Sequence, residues 1–216
     1  MVTKSKKPAR TKVLGAQRQT AGASHTIRII GGQWKRTPIT VIDADGLCPT
    51  PARVRETLFN SLNHLFGGNF LALSCLDMFA GSGALGFEAA SRGFQRVVMM
   101  EKNRIALKNL HTVKSKLKAE QIEILSGDAL LMTKAMADAG RQFDLICLDP
   151  PFQEHLLPKV LPVCLKLLSD NGLIYVESDE AVTEGMLAEC GMDALLSVIR
   201  EGHAGQVYYH LLEKRV

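Results

Sequence analysis

The chain has no apolar run long enough to cross a bilayer. Its longest, VLPVCLKLL at 160–168, is far short of the 18 or more residues such a helix needs, so no membrane span is expected. No C-x-x-C pair occurs among the five cysteines (Cys48, Cys75, Cys147, Cys164, Cys190), and Cys75, Cys147 and Cys164 lie in apolar stretches. They read as core residues or free thiols, not as a disulfide framework. The six histidines show no H-x-x-H or H-E-x-x-H spacing, and no metal is expected. Neither an internal repeat nor a long low-complexity segment is visible. No apolar segment and cleavage pattern follow the basic start, so the expected location is the cytoplasm. Acid is also missing from residues 1–42, which carry nine Lys or Arg; the total of +4 therefore leaves −5 on residues 43–216. A basic front on a mildly acidic body suggests a polyanion partner.

The 216 residues, 46% of them hydrophobic, suffice for one domain with a normal core and some attachments. Three regions are expected: a basic disordered tail at 1–25, a hairpin-and-helix extension at 26–70 and a main domain at 71–216. Within the extension, IRII and QWKRTPITV read as two strands joined by a Gly31-Gly32 turn, a hairpin carrying Arg28, Trp34, Lys35 and Arg36. Residues 50–68 then read as a helix, with Thr50 as N-cap, Pro51 at the first helical position, Val54, Leu58, Leu62 and Leu65 on one face, and Gly67-Gly68 as the stop.

From residue 73 strands alternate with helices: LSCLDMFA then 84–92, RVVMME then 103–118, IEILSGD then 129–139, FDLICLDP then 154–168, GLIYVES then 181–190. Continuous apolar strands between amphipathic helices indicate a parallel sheet covered on both faces. ALLSVIRE and QVYYHLLEK are separated only by GHAG, too short for a crossover helix, so the sheet should end in an antiparallel hairpin. The fold class is α/β: a Rossmann-like, seven-stranded, mostly parallel sheet.

Two segments carry chemistry. GSGALG at 81–86 follows the first strand of this sheet and opens a helix, where glycines let backbone approach a cofactor; Glu101 ends the next strand at the spacing of a ribose ligand. Asp128 in GDAL either caps the following helix or contacts adenine. Such a glycine pattern alone also fits an NAD-dependent oxidoreductase. LDPPF at 148–152 separates the two: at a strand end, Asp149 and the Pro150 carbonyl offer one acceptor for each hydrogen of an NH₂ group, the prolines fix the backbone, and Phe152 offers a stacking face. Hydride transfer needs no seat for a planar amine. Methyl transfer to an amine does.

In this order, LDMFAGSGALGFEAASRG, Glu101, GDAL and LDPPF resemble the motifs of class I S-adenosylmethionine-dependent amino-methyltransferases. Further, IRIIGGQWKRTPI, PTPARVRETLFN, LIYVES and AGQVYYHL resemble the RsmD family of 16S ribosomal RNA guanine-N2 methyltransferases, over residues 27–213. Cys48 and Ala52 depart from the family pattern, standing where Arg and Asp are usual. The resemblance implies S-adenosylmethionine as cofactor, with Asp77, Phe79, Gly81 and Gly83 at its methionine end, Glu101 at the ribose and Asp128 with Ala129 at the adenine. Asp149, Pro150 and Phe152 would hold the guanine. Trp34, Lys35 and Arg36 would meet RNA with Arg28; Arg53, Arg55 and Glu56 would close over the cofactor, approach RNA or form an ordinary charged face. The implied partner is 16S ribosomal RNA in a small-subunit particle, met by a monomer. Rivals from the residues alone are an adenine-N6 or protein-glutamine methyltransferase and a noncatalytic RNA-binding factor.

Overall fold

The computed structural model describes residues 25–41, 49–152 and 155–215. Residues 1–24 of the expected tail, and Cys48, lie outside that range. Strands β1 (His25–Arg28) and β2 (Pro38–Val41) pair antiparallel, with Arg28 opposite Pro38. The connection is thus the loop 29–37 and not a two-residue Gly-Gly turn. Gly32 and Arg36 both take positive φ in this loop, and a Cβ on Gly32 would lie 1.8 Å from the Ser91 carbonyl oxygen, so the loop is shaped by what it docks against.

Helix α1 (Ala52–Leu65) buries Val54, Leu58, Phe59 and Leu62. Pro51, not Thr50, is its N-cap, and it makes no side-chain cap bond. Thr50 is spent elsewhere, as described below. Gly67 and Gly68 follow the helix with positive φ, and the Gly68 N–H reaches the Asn63 carbonyl.

The main sheet comprises β3 (Ser74–Asp77), β4 (Arg96–Glu101), β5 (Ile122–Ser126), β6 (Phe143–Leu148), β7 (Leu168–Ser178), β8 (Leu196–Ala204) and β9 (Val207–Lys214), ordered β5-β4-β3-β6-β7-β9-β8. All neighbours pair parallel from β5 to β7, and β9 is antiparallel to both β7 and β8. Between the strands run α2 (Ala84–Arg92), α3 (Arg104–Leu117), α4 (Ala129–Asp138), α5 (Leu157–Leu167) and α6 (Glu184–Glu189).

Period-2 alternation divides the core. Cys75, Val97, Met99, Leu145, Cys147 and Tyr175 face α1, α2 and α3. Leu76, Val98, Met100, Ile146, Leu148 and Val176 face α4, α5 and α6. Because β3 turns one way to β4 and β6 turns the other way to β7, the loops after β3 and β6 diverge, which opens a crevice at the carboxyl ends of the strands.

Among the described residues, no helix is long and apolar enough to cross a membrane.

Candidate functional site

A cavity of about 700 Å³ occupies that crevice. Its floor follows from the alternation just described. On the face that buries Cys75, Cys147 and Tyr175, one more two-residue step brings Asp77, Asp149 and Glu177, and all three carboxylates line the cavity. Asp77 is level with Cys147 in the register, while Asp149 and Glu177 follow the in-register pair Leu148 and Val176.

The loop after β3 forms one wall. Its start is fixed by Met78 N–H to the Cys147 carbonyl and Ala80 N–H to the Met100 carbonyl, and Glu101 accepts from Gly81 N–H (2.8 Å) and Asn103 N–H (2.7 Å). Asp77 accepts from Gly86 N–H at 3.0 Å, locking the first turn of α2 to the strand before it. Gly83 does not line the cavity. Its φ of 82° and the 2.5 Å that would separate a Cβ from the Phe87 ring show that this glycine shapes the loop from within. Gly86 similarly lets α2 approach Met99 on β4.

The remaining predicted cofactor residues, Phe79, Gly81, Glu101, Asp128 and Ala129, all line the cavity. Asp128 also caps α4, accepting from Leu131 N–H at 3.0 Å, so the cap is present beside the cavity position. Asp149, Pro150 and half-buried Phe152 close the other side.

The predicted RNA residues separate. Arg28, Lys35, Arg36 and Arg53 are exposed and Trp34 is half-buried; none lines the cavity. Arg55 is not a surface residue. It is 1% exposed, donating to the Thr50 and Arg28 carbonyls and pairing with Glu88 at 3.4 Å. Helical spacing from Val54 would have left position 55 beside the apolar stripe, but the docked hairpin covers it.

Glu88 was not singled out by the sequence pattern. Wholly buried, it accepts from Ile30 N–H (2.7 Å), Gly31 N–H (2.9 Å) and Arg92 Nε (2.7 Å) as well as from Arg55. Ser91 adds bonds to the Gly31 carbonyl and Trp34 N–H. A glutamate in the otherwise apolar helix sequence ALGFEAAS was the available signal.

Glu177 was also missed. Its Oε1 accepts from Thr50 Oγ1 at 2.6 Å and Tyr175 OH at 3.0 Å, which ties the segment entering α1 to β7.

Burial governs the electrostatics. Desolvation pushes Asp77 up to about 7, opposed by the Gly86 N–H and reinforced by Glu101. Asp149 is raised well above the carboxylate range by desolvation and then by Glu177 and Asp77. Desolvation raises Glu177 as well, against the hydroxyls of Thr50 and Tyr175 and the Arg55 charge. Three acids sharing a desolvated wall favour a cationic guest. The cavity also lies within the usual volume range for small-molecule sites. Among the described residues, no cluster of His, Cys, Asp and Glu is arranged to hold a metal.

This sheet order, with a glycine loop and an acidic second strand end at its switch point, is that of the class I S-adenosylmethionine-dependent methyltransferases. The fold is shared with a SAM-dependent methyltransferase from Agrobacterium tumefaciens at 15% identity, covering 91% of this chain and 72% of that one with a TM-score of 0.66. The family is narrower. A family model described as Conserved hypothetical protein 95 matches residues 27–213, and the chain belongs to that family, the RsmD family. Among its relatives is the Ribosomal RNA small subunit methyltransferase D of Escherichia coli strain K12, 39% identical over 88% of this chain and 91% of the relative. The solved Escherichia coli protein yhhF is 35% identical with a TM-score of 0.72, covering 88% of this chain and 98% of its own.

Proposed function

We propose that this protein is a cytoplasmic ribosomal RNA methyltransferase that transfers the methyl group of S-adenosylmethionine to the N2 amine of one guanine in 16S ribosomal RNA. The observation that carries the reading is that Asp149, Pro150 and Phe152 close the same cavity that Asp77, residues 78–82, Glu101 and Asp128 open. Family membership supports ribosomal RNA as the substrate class.

The donor set fits the cofactor. Asp77 would face a guest whose methionine end is cationic, Glu101 would offer carboxylate oxygens to ribose hydroxyls, and Asp128 with Ala129 would border the adenine end. When bound, the cofactor supplies a sulfonium methyl; transfer forms the N2–C bond, breaks the C–S bond, and leaves a thioether and one proton. Asp149 and the Pro150 carbonyl would accept the two amine hydrogens, a geometry that localises the nitrogen lone pair out of conjugation with the ring and frees it for bond formation. Asp149 takes the released proton, a role suited to a carboxylate whose affinity for protons burial has raised. Phe152 stacks on the base, offsetting part of the cost of removing it from a helix.

Exposed Arg28, Lys35, Arg36 and Arg53, with Trp34, meet the RNA outside the cavity. Substrate is taken within a small-subunit particle by a protein acting as a monomer.

The test is to incubate the protein with methyl-labelled cofactor and, separately, small-subunit particles, naked ribosomal RNA, DNA and protein, and to identify the product after digestion. N2-methylguanosine from 16S ribosomal RNA is expected. N6-methyladenosine or N5-methylglutamine would overturn the assignment.

A further inference from the structure

Holding an amine does not by itself choose guanine, since adenine, cytosine and glutamine also present a planar NH₂. They differ in what stands beside it. In guanine the N2 amine adjoins N1–H, a donor. In adenine and cytosine the amine adjoins a ring-nitrogen lone pair, and in glutamine the carbonyl oxygen, all acceptors. A site can therefore select guanine by placing an ionised carboxylate next to the amine seat.

Glu177 meets that requirement. It follows Val176 as Asp149 follows Leu148, and these two strands are adjacent and in register, roughly 4.8 Å apart. Both side chains line the cavity. Thr50 and Tyr175 both donate to Oε1 of Glu177, which fixes the carboxylate while Oε2 takes neither bond. Burial raises Glu177, and those hydroxyls and the Arg55 charge pull it back toward its ionised form; Asp149 is raised by burial and then by Glu177 and Asp77.

We propose that Glu177 is a specificity-determining residue that accepts the N1–H of the target guanine, so that the cavity admits guanine and rejects amines with no N–H donor beside them. The inference rests on the guanine-N2 reading above. With Glu177 facing adenine N1, cytosine N3 or a glutamine carbonyl, two acceptors would oppose each other without a hydrogen between them.

The experiment uses ribosomal RNA carrying either guanosine or 2-aminopurine at the nucleotide mapped in the first test. 2-Aminopurine keeps the N2 amine but has a lone pair at N1. Wild-type protein should methylate the guanosine RNA faster by about 10²-fold or more, in line with sites built to hydrogen-bond a group the analogue lacks. Glu177→Gln, whose amide can donate to that lone pair, should slow guanosine methylation by about 10- to 100-fold and shrink the preference at least about tenfold. If Glu177 only anchored Thr50 and Tyr175, the variant would slow both substrates equally, and an unchanged ratio would overturn the proposal. So would equal turnover of the two RNAs by the wild-type protein, a result that needs no variant to fold. Failure of the guanine reading itself is recognised separately, because wild-type protein would then yield a methylated nucleoside other than N2-methylguanosine.

Discussion

Arg55 Nη1 lies 3.4 Å from Glu88 Oε2, with both side chains shut off from solvent. The pair joins α1 to α2 beneath the hairpin loop, since Glu88 also holds Ile30 and Gly31 and Arg55 also holds the Arg28 carbonyl. Removing one member of a buried ion pair strands the other, at a cost of about 3–5 kcal/mol. Glu88→Ala should lower the unfolding free energy by that amount, measured by denaturant titration. A loss below about 1 kcal/mol would show that water replaces the carboxylate.

Glu101→Ala should weaken S-adenosylhomocysteine binding by about 10- to 150-fold, the value of roughly 1.5–3 kcal/mol for hydrogen bonds to a charged group. Calorimetry reads it directly. Because Glu101 also accepts from Gly81 and Asn103, the loop 78–83 should exchange its amide hydrogens faster in the variant.

Asp149→Ala should leave cofactor affinity nearly unchanged and cut turnover by about 10²–10³, the scale of losing one preorganised transition-state contact. Phe152→Leu should cost less and show partly as weaker RNA engagement, because only a stacking face is lost. Single-turnover methyl transfer at saturating cofactor distinguishes the two. Normal turnover in the Asp149 variant would end the amine-seat account.

The pH dependence follows from Asp77, raised from 3.8 to about 7. A folded-state value above the unfolded one means that the native protein holds the proton more tightly. Its stabilising contribution is full below pH 3.8 and is lost as pH rises through about 7. The cationic cofactor favours the ionised form and pulls the other way. Its affinity should fall about tenfold per pH unit below 7, with one proton released on binding. Calorimetry in buffers of different ionisation enthalpy counts that proton, and a flat affinity between pH 5.5 and 7.5 would remove Asp77 from the cofactor's contacts.

Where local pattern and tertiary packing agree, the sequence was legible to the residue: α2 spans 84–92 and β4 spans 96–101 as read. The antiparallel end of the sheet was legible too, because four residues cannot house a crossover. Three features were not. Thr50 looks like an N-cap, but its hydroxyl goes to Glu177, 127 residues away. Gly31-Gly32 looks like a two-residue turn, but Glu88 and Ser91 capture the backbone there and open a longer loop. Strand β7 begins at Leu168 because a register shift opposite Phe143–Leu145 absorbs the turn-like SDNG, with Ser169 donating to Asp144. Each depends on a partner that no local window contains.

The Thr50–Glu177 bond has a bearing on biosynthesis. A ribosome adding roughly 5–20 residues per second needs roughly 6–25 s to make the 127 residues between the two partners. Throughout that interval Thr50 lacks its partner, although Arg55 of α1 can already meet Glu88. The side of the cavity that Thr50 and Glu177 share therefore closes late in synthesis, and its completion reports a chain made at least through β7.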